Sequence, residues 1–141
     1  MKIDEEKIIE LVISDLSYMA CSLISSEGEA EFLPISVVVD SNYQSSYMGV
    51  ESGEEEIFPS EYLKILEAEL ISFIKEGKFI AAGICLNTRD RSSGRDALLI
   101  NIQAENGLNK SVVVFYQFDD AEILLSQPEE SDLQLIGKLF C

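Results

Sequence analysis

Three arginines lie within seven positions of one segment, at Arg89, Arg91 and Arg95. A guanidinium group can bind a carboxylate or a phosphate through two parallel hydrogen bonds, so this spacing could form an anion site or contact an acidic group of a partner. The alternative is a surface loop whose arginines offset the acidity of the chain, because exposed ion pairs of this kind are common and weak. The sequence favours the loop and leaves the anion site as the second interpretation.

A run of three consecutive carboxylates lies at Glu54, Glu55 and Glu56. Such a run could contact a basic partner or bind a divalent cation weakly. Charge runs are more often solvated, so the sequence favours an acidic loop that precedes a helix. The three glutamates and the three arginines are the polar candidates for partner binding.

The chain contains no histidine. This absence removes the commonest general base and excludes a Cys–His or Ser–His pair within the chain. No glycine-rich phosphate loop, zinc spacing or calcium loop is present in the sequence. We therefore expect no enzyme activity, no cofactor and no metal site.

The net charge restricts the kinds of partner. Among 141 residues, 26 acidic and 10 basic side chains give a formal net charge of −16. A field of this sign repels nucleic-acid phosphates and anionic membranes and attracts basic proteins, although simple solubility explains the same charge. We expect no nucleic-acid or membrane partner. Three cysteines without metal-ligand spacing, Cys21, Cys85 and Cys141, favour free thiols in a reducing compartment and hence the cytoplasm.

Three apolar segments form the centre of the predicted fold. Residues 79–86 are continuously apolar, residues 96–105 alternate with a period of two, and residues 111–118 are β-branched and aromatic. These patterns are typical of strands. The connecting segments, residues 89–95 and 106–109, are polar and contain glycine, so they predict loops between antiparallel strands.

The rest of the chain predicts elements that pack on these strands. Apolar stripes at helical spacing predict helices over residues 4–25 and 59–76. Residues 31–50 predict a hairpin, residues 121–125 a short strand and residues 128–132 a polar loop. The fold class is therefore α+β in a single domain, residues 1–141: a two-layer arrangement in which a mainly antiparallel sheet of five to six strands carries two amphipathic helices on one face.

The predicted sheet has more apolar surface than two helices on one face can bury. Whichever face they cover, large side chains of the strand at residues 111–118 remain on the other, either Val113 and Phe115 or Val112, Val114 and Tyr116. Three covers are possible: the 31–50 hairpin with the C-terminal segment, a second copy of the chain, or a different protein. A homodimer is slightly favoured, and Val113 and Phe115 are candidate contact residues.

The order of the segments resembles a family of small acidic bacterial proteins without assigned function. The resemblance rests on FLPISVVVD, an acidic loop, PSEYLKILEAEL, FIAAGICLNTR, DALLINIQAENG and VVVFYQF. It implies a helix, a strand with a Phe-x-Pro segment, a second helix and an antiparallel meander, and it implies no catalytic residues. Some similar proteins are immunity factors or regulatory partners of toxins.

Together these observations predict a cytoplasmic protein-interaction module, an immunity or regulatory factor that binds another protein. The alternative is a module that binds a small molecule or an anion through the loop from Arg89 to Arg95. An enzyme ranks third.

Overall fold

The structure, a computed structural model, describes residues 2–27, 34–48, 59–77, 79–89, 92–120, 122–132 and 137–140. Within these described residues, two helices and seven strands follow one another. In order they are α1 (Glu5–Glu27), β1 (Ile35–Asp40), β2 (Ser45–Met48), α2 (Pro59–Lys75), β3 (Phe79–Arg89), β4 (Asp96–Ala104), β5 (Asn109–Asp119), β6 (Glu122–Leu125) and β7 (Glu129–Ser131).

The strands form one sheet in the order β2-β1-β3-β4-β5-β6, and β7 also pairs with β5. Every pairing is antiparallel. The predicted meander is therefore confirmed as β3, β4 and β5, and the α+β class with a helix packed on an antiparallel sheet is confirmed as well. The strand β7 corrects the prediction of a polar loop over residues 128–132, because its backbone pairs with β5 although its side chains are polar.

Helix α1 packs on one face of the sheet. Its fully buried residues recur every four positions, at Ile8, Val12, Leu16, Ala20 and Ile24. This spacing forms a single apolar stripe along a helix. The stripe packs against alternate residues of four strands, among them Val37, Val39, Ala81, Cys85, Leu98, Ile100, Ile102, Val112 and Val114.

The backbone of β3 approaches α1 most closely at Gly83. A Cβ atom added there would lie 2.2 Å from Cγ1 of Val12 and 3.1 Å from Cδ1 of Leu16. Since real carbon contacts lie near 3.5–4.0 Å, only a residue without a side chain fits between the helix and the sheet at this point. Gly83 thus sets the distance between α1 and β3.

Helix α2 packs on the opposite face. Its buried residues Tyr62, Leu66 and Leu70 contact Val38 of β1 and Ile84 of β3. Neighbouring residues of a strand point to opposite faces, so Val38 and Ile84 point away from α1. The prediction that both helices lie on one face is therefore wrong. The reason is that β1 and β3 are buried on both sides and can accept a helix on either.

The C-terminal segment 137–140 also lies on the α2 face. The side chain of Gln103 in β4 donates to the Gly137 carbonyl at 3.0 Å and accepts the Leu139 N–H at 2.8 Å. The Gly137 N–H donates to Oε1 of Glu67 in α2 at 3.1 Å. Leu139 joins the cluster of Leu66 and Leu70, so this segment covers part of the sheet that the helix leaves open.

Candidate functional site

The predicted arginine cluster does not come together in the structure. Arg89 lies on the α1 face, where its Nε is 3.2 Å from Oδ1 of Asp96, the residue directly opposite in the β3–β4 ladder. Arg95 lies on the other face, and its guanidinium carbon is 4.0 Å from the centroid of the Phe115 ring. Arg91 lies outside the described residues. Arg89 and Arg95 therefore cannot grip one anion between them.

The two predicted apolar contact residues are only half-buried. Val113 and Phe115 lie on the α2 face, where Val113 is opposite Leu99 of β4 and Glu129 of β7. A guanidinium over an aromatic face is an attractive arrangement, so Arg95 covers part of Phe115. The chain itself thus covers some of the surface that the sequence predicts for a second copy or a partner. Glu54, Glu55 and Glu56 lie outside the described residues, so their role stays a prediction.

The β5–β6 hairpin carries a group of exposed apolar side chains that the sequence analysis did not single out. Phe118 is 49% exposed, Leu124 is 41% exposed and Leu125 is 43% exposed. In the ladder Phe118 is opposite Ile123, and Tyr116 is opposite Leu125. Phe118 and Leu125 consequently lie on the α1 face and Leu124 on the α2 face, so the apolar surface wraps around the sheet edge.

Exposed carboxylates occupy the end of the same hairpin. Asp119 and Glu122 are opposite one another, and Asp120 lies in the turn between them with φ of 56°. A positive φ is tolerated by Asp better than by most residues, which suits it to this tight turn. The two ion pairs found within the described residues, Arg89–Asp96 and Lys110–Glu130, include none of these three carboxylates. We call Phe118, Asp119, Asp120, Glu122, Leu124 and Leu125 the hairpin tip.

A cavity of about 450 Å³ adjoins the hairpin tip on the α1 face. Arg89, Asp96 and Tyr116 line it together with Ile24, Asn87, Thr88 and Phe118. The Tyr116 hydroxyl donates to Oδ1 of Asn87 at 2.6 Å. Burial raises the pKa of Tyr116, and the negative charge of Asp96 raises it further. The polar groups of the cavity bind one another, Arg89 to Asp96 and Tyr116 to Asn87.

Among the described residues, no three acidic or cysteine side chains lie close enough together to hold a metal ion. Within the same residues, neither helix is long and apolar enough to cross a membrane.

Comparison with protein-family models, with curated proteins and with solved structures finds no match for this chain. The resemblance to small acidic bacterial proteins therefore stays a prediction.

Proposed function

We propose that this protein is a cytoplasmic protein-interaction module, an immunity or regulatory factor, that binds a basic protein through the hairpin tip. The observation that carries the proposal is the exposure of Phe118, Leu124 and Leu125 beside the carboxylates of Asp119 and Glu122. The three apolar residues are each more than two-fifths exposed although they belong to strands of the main sheet.

The apolar and the charged side chains of the hairpin tip have different roles in binding. Apolar side chains at the centre of an interface supply most of the binding free energy once a partner excludes water from them. Charged groups around them contribute mainly to the rate of association, because they steer a partner of opposite sign. With a net charge of −16, the protein favours a basic partner over an acidic one at every distance within the screening length.

The position of the tip at the sheet edge adds a second argument. β6 is the last strand of the sheet order, so its outer edge has no strand partner among the described residues. Exposed edges invite pairing with other chains, and charged side chains at an edge oppose pairing with an identical copy. The negative charges of Glu122 on β6 and of the neighbouring Asp119 repel a second acidic copy and attract a basic segment.

The experiment begins with a photo-cross-linking phenylalanine analogue at position 118 in living cells, followed by mass spectrometry of the captured protein. Association of the purified pair is then measured for Asp119→Lys/Glu122→Lys and for a matched control, Glu61→Lys/Glu69→Lys on the exposed surface of α2. We expect the tip variant to lower the association rate by about tenfold and the control by no more than about twofold. Asp120 is kept because of its positive φ.

Two results would contradict the proposal. Equal losses in the tip variant and the control would mean that only the net charge matters. Capture of an acidic protein, or association that ignores both salt and the tip charges, would mean that the hairpin tip is not the binding surface.

The cavity that Arg89 lines supports a second candidate function, the binding of a small anion. Of the two predicted arginines that the structure describes, Arg89 lines it and Arg95 does not. Calorimetric titration with inorganic phosphate and with benzoate tests this candidate. Binding that is lost in Arg89→Gln and kept in Arg95→Gln supports it, whereas no heat of binding for either anion in the unmodified protein eliminates it.

A further inference from the structure

A continuous groove runs along helix α1 on the side that faces β5, β6 and β7. Two cavities of about 430 and 420 Å³ share the lining residues Ile13, Ser14 and Pro128 and are therefore contiguous. Along α1 the groove extends from Ile9 to Cys21, a distance of about 18 Å at 1.5 Å per helical residue. Its opposite wall includes Val112, Val114 and Leu125.

The groove exists because one helix cannot cover six strands. Strands are spaced about 4.8 Å apart, so six strands span about 24 Å, whereas a helix with its side chains is about 10 Å wide. The contacts of α1 with the sheet are concentrated on β1 to β4. On β5 the α1-facing residues Val112 and Val114 are buried, so the open part of this face lies beyond them, toward β6 and β7, where Leu125 and Pro128 are exposed.

The backbone chemistry of the groove favours a helical occupant over an extended one. β5 forms its ladder hydrogen bonds with β4 on one side and with β6 and β7 on the other. An extended peptide lying over the face of β5 would therefore find no free edge on that strand, and its buried N–H and C=O groups would lack partners. The open outer edge of β6 points along the plane of the sheet and not into the groove. A helix satisfies those groups internally and needs only side-chain contacts.

The charge of the groove favours a basic occupant. Glu10 and Glu130 line it, and the ammonium of the one basic lining residue, Lys110, is 3.0 Å from a carboxylate oxygen of Glu130. The carboxylate of Glu10 makes no ion pair within the described residues. A second copy of this chain could offer the groove only an acidic surface on average, since it also has a net charge of −16.

We propose that this groove binds an amphipathic basic helix of about three turns, packed alongside α1. Its apolar face contacts Ile13, Leu125 and Pro128, which have accessible surface, and its basic residues lie beside Glu10. This inference rests on the proposed function, because Leu125 belongs to both the groove and the hairpin tip, and it specifies the structural form of the partner's binding segment.

The probe is a synthetic peptide of about 14 residues built from Leu and Lys, with Leu at helical spacing i, i+3, i+4 and i+7. Its control is a scrambled peptide of identical composition that has no apolar stripe. Binding to the full chain is measured by fluorescence anisotropy for the unmodified protein, for Ser14→Lys and for Ser22→Lys. Ser14 lines both cavities, whereas Ser22 is an exposed α1 residue that lines neither, so the two variants add the same charge to the same helix.

We expect the patterned peptide to bind at least about tenfold more tightly than the scrambled one. Ser14→Lys should weaken that binding by about tenfold, because it adds both bulk and a like charge to the groove, and Ser22→Lys by no more than about twofold. Bound peptide should also slow modification of the Cys21 thiol by a disulfide reagent, since Cys21 lines the groove. Equal affinity for the two peptides, or equal effects of the two lysines, overturns the inference.

The same variants separate this inference from the proposed function. A cross-linked partner that responds to Asp119→Lys/Glu122→Lys and ignores Ser14→Lys would refute the helix in the groove and leave the hairpin tip as the binding surface. A partner that ignores both variants would refute both. A groove covered by another segment of this chain would show as absent peptide binding together with a Cys21 thiol that resists modification in the free protein, and this also refutes the inference.

Discussion

Replacing Gly83 by alanine tests how α1 is held on the sheet. The added Cβ would lie 2.2 Å from Cγ1 of Val12, whereas carbon atoms in contact are normally about 3.5–4.0 Å apart. The overlap is therefore more than 1 Å at a site where neither group can move easily. Val12 is fully buried, and a β-branched side chain in a helix has essentially one rotamer, so the helix itself has to shift.

The expected cost follows from this overlap. Overpacking of a buried site costs about 1–3 kcal/mol. Replacing glycine by alanine also lowers the conformational entropy of the unfolded chain, which stabilises the folded state by about 0.4–1 kcal/mol where the backbone conformation suits alanine. Gly83 does not have a positive φ, so this stabilisation applies to Gly83→Ala. We expect Gly83→Ala to lower the free energy of unfolding by a net amount of about 1–2 kcal/mol, measured by urea denaturation.

A double variant shows whether the clash is with Val12. Val12→Ala removes the clashing methyl group, so it should be destabilising alone but should relieve part of the cost of Gly83→Ala. We expect the double variant to be about 1 kcal/mol more stable than the sum of the single effects predicts. Gly107→Ala is the control, because Gly107 has a φ of 98° and no atom within 4 Å of an added Cβ, so its cost is conformational and should add to that of Val12→Ala. Additive effects of Gly83→Ala and Val12→Ala, or an unchanged urea midpoint for Gly83→Ala, would refute the close packing of Val12 on Gly83.

Three further predictions concern the opposite face and the buried titratable groups. Leu70→Ala should lower the free energy of unfolding by about 2–5 kcal/mol because Leu70 is fully buried, and an unchanged denaturation midpoint would contradict its place in the core. Gln103→Leu should release the segment 137–140, because the Gln103 side chain holds Gly137 and Leu139. The Leu139 amide should then exchange its hydrogen faster, with little change in the β3–β4 ladder. Unchanged exchange would mean that Gln103 does not hold the segment. Burial raises the pKa of the Cys85 thiol above its ordinary 9.0 and that of the Tyr116 phenol above 10.0. The free energy of unfolding, measured by urea titration from about pH 7 to about pH 11, should therefore be constant up to those ordinary pKa values and decrease as pH rises through them. Cys85→Ala should make that decrease less steep.

The sequence predicts the elements of this fold better than their arrangement. The period of two in β4 and the four-residue spacing in α1 are local patterns, and both identify their elements correctly. The faces used by the helices are not local. Val37, Val38 and Val39 are all buried, so the sequence of β1 contains no sign of which side meets α1 and which meets α2.

The candidate site was harder to predict for a similar reason. Arg89 and Arg95 are close in sequence, but one ends a strand and the other lies beyond the following turn, and the pleat directs them to opposite faces. Phe118 follows the apolar run of Val112 to Tyr116 after one polar residue, and nothing in its residue type distinguishes it from them. Its exposure comes from its place beside the last strand, where a cavity separates it from Ile24 of α1. The number of strands and the width that α1 covers are properties of the assembled sheet, so the sequence alone could not indicate the hairpin tip.

The ionic strength of the solution separates a basic partner from a second copy of the chain. Two copies that met through the exposed residues Phe118, Leu124 and Leu125 would bring two sets of the carboxylates of Asp119, Asp120 and Glu122 together. Repulsion between like charges weakens as salt screens it, so a homodimer formed through the hairpin tip should become more stable between about 0.05 M and about 0.5 M salt. Attraction to a basic partner follows the opposite trend and should weaken over the same range. Light scattering at low micromolar concentration measures the stability of the homodimer, and association kinetics measure the attraction to a basic partner. A dimer that forms at low salt and dissociates at high salt would contradict a contact through the hairpin tip.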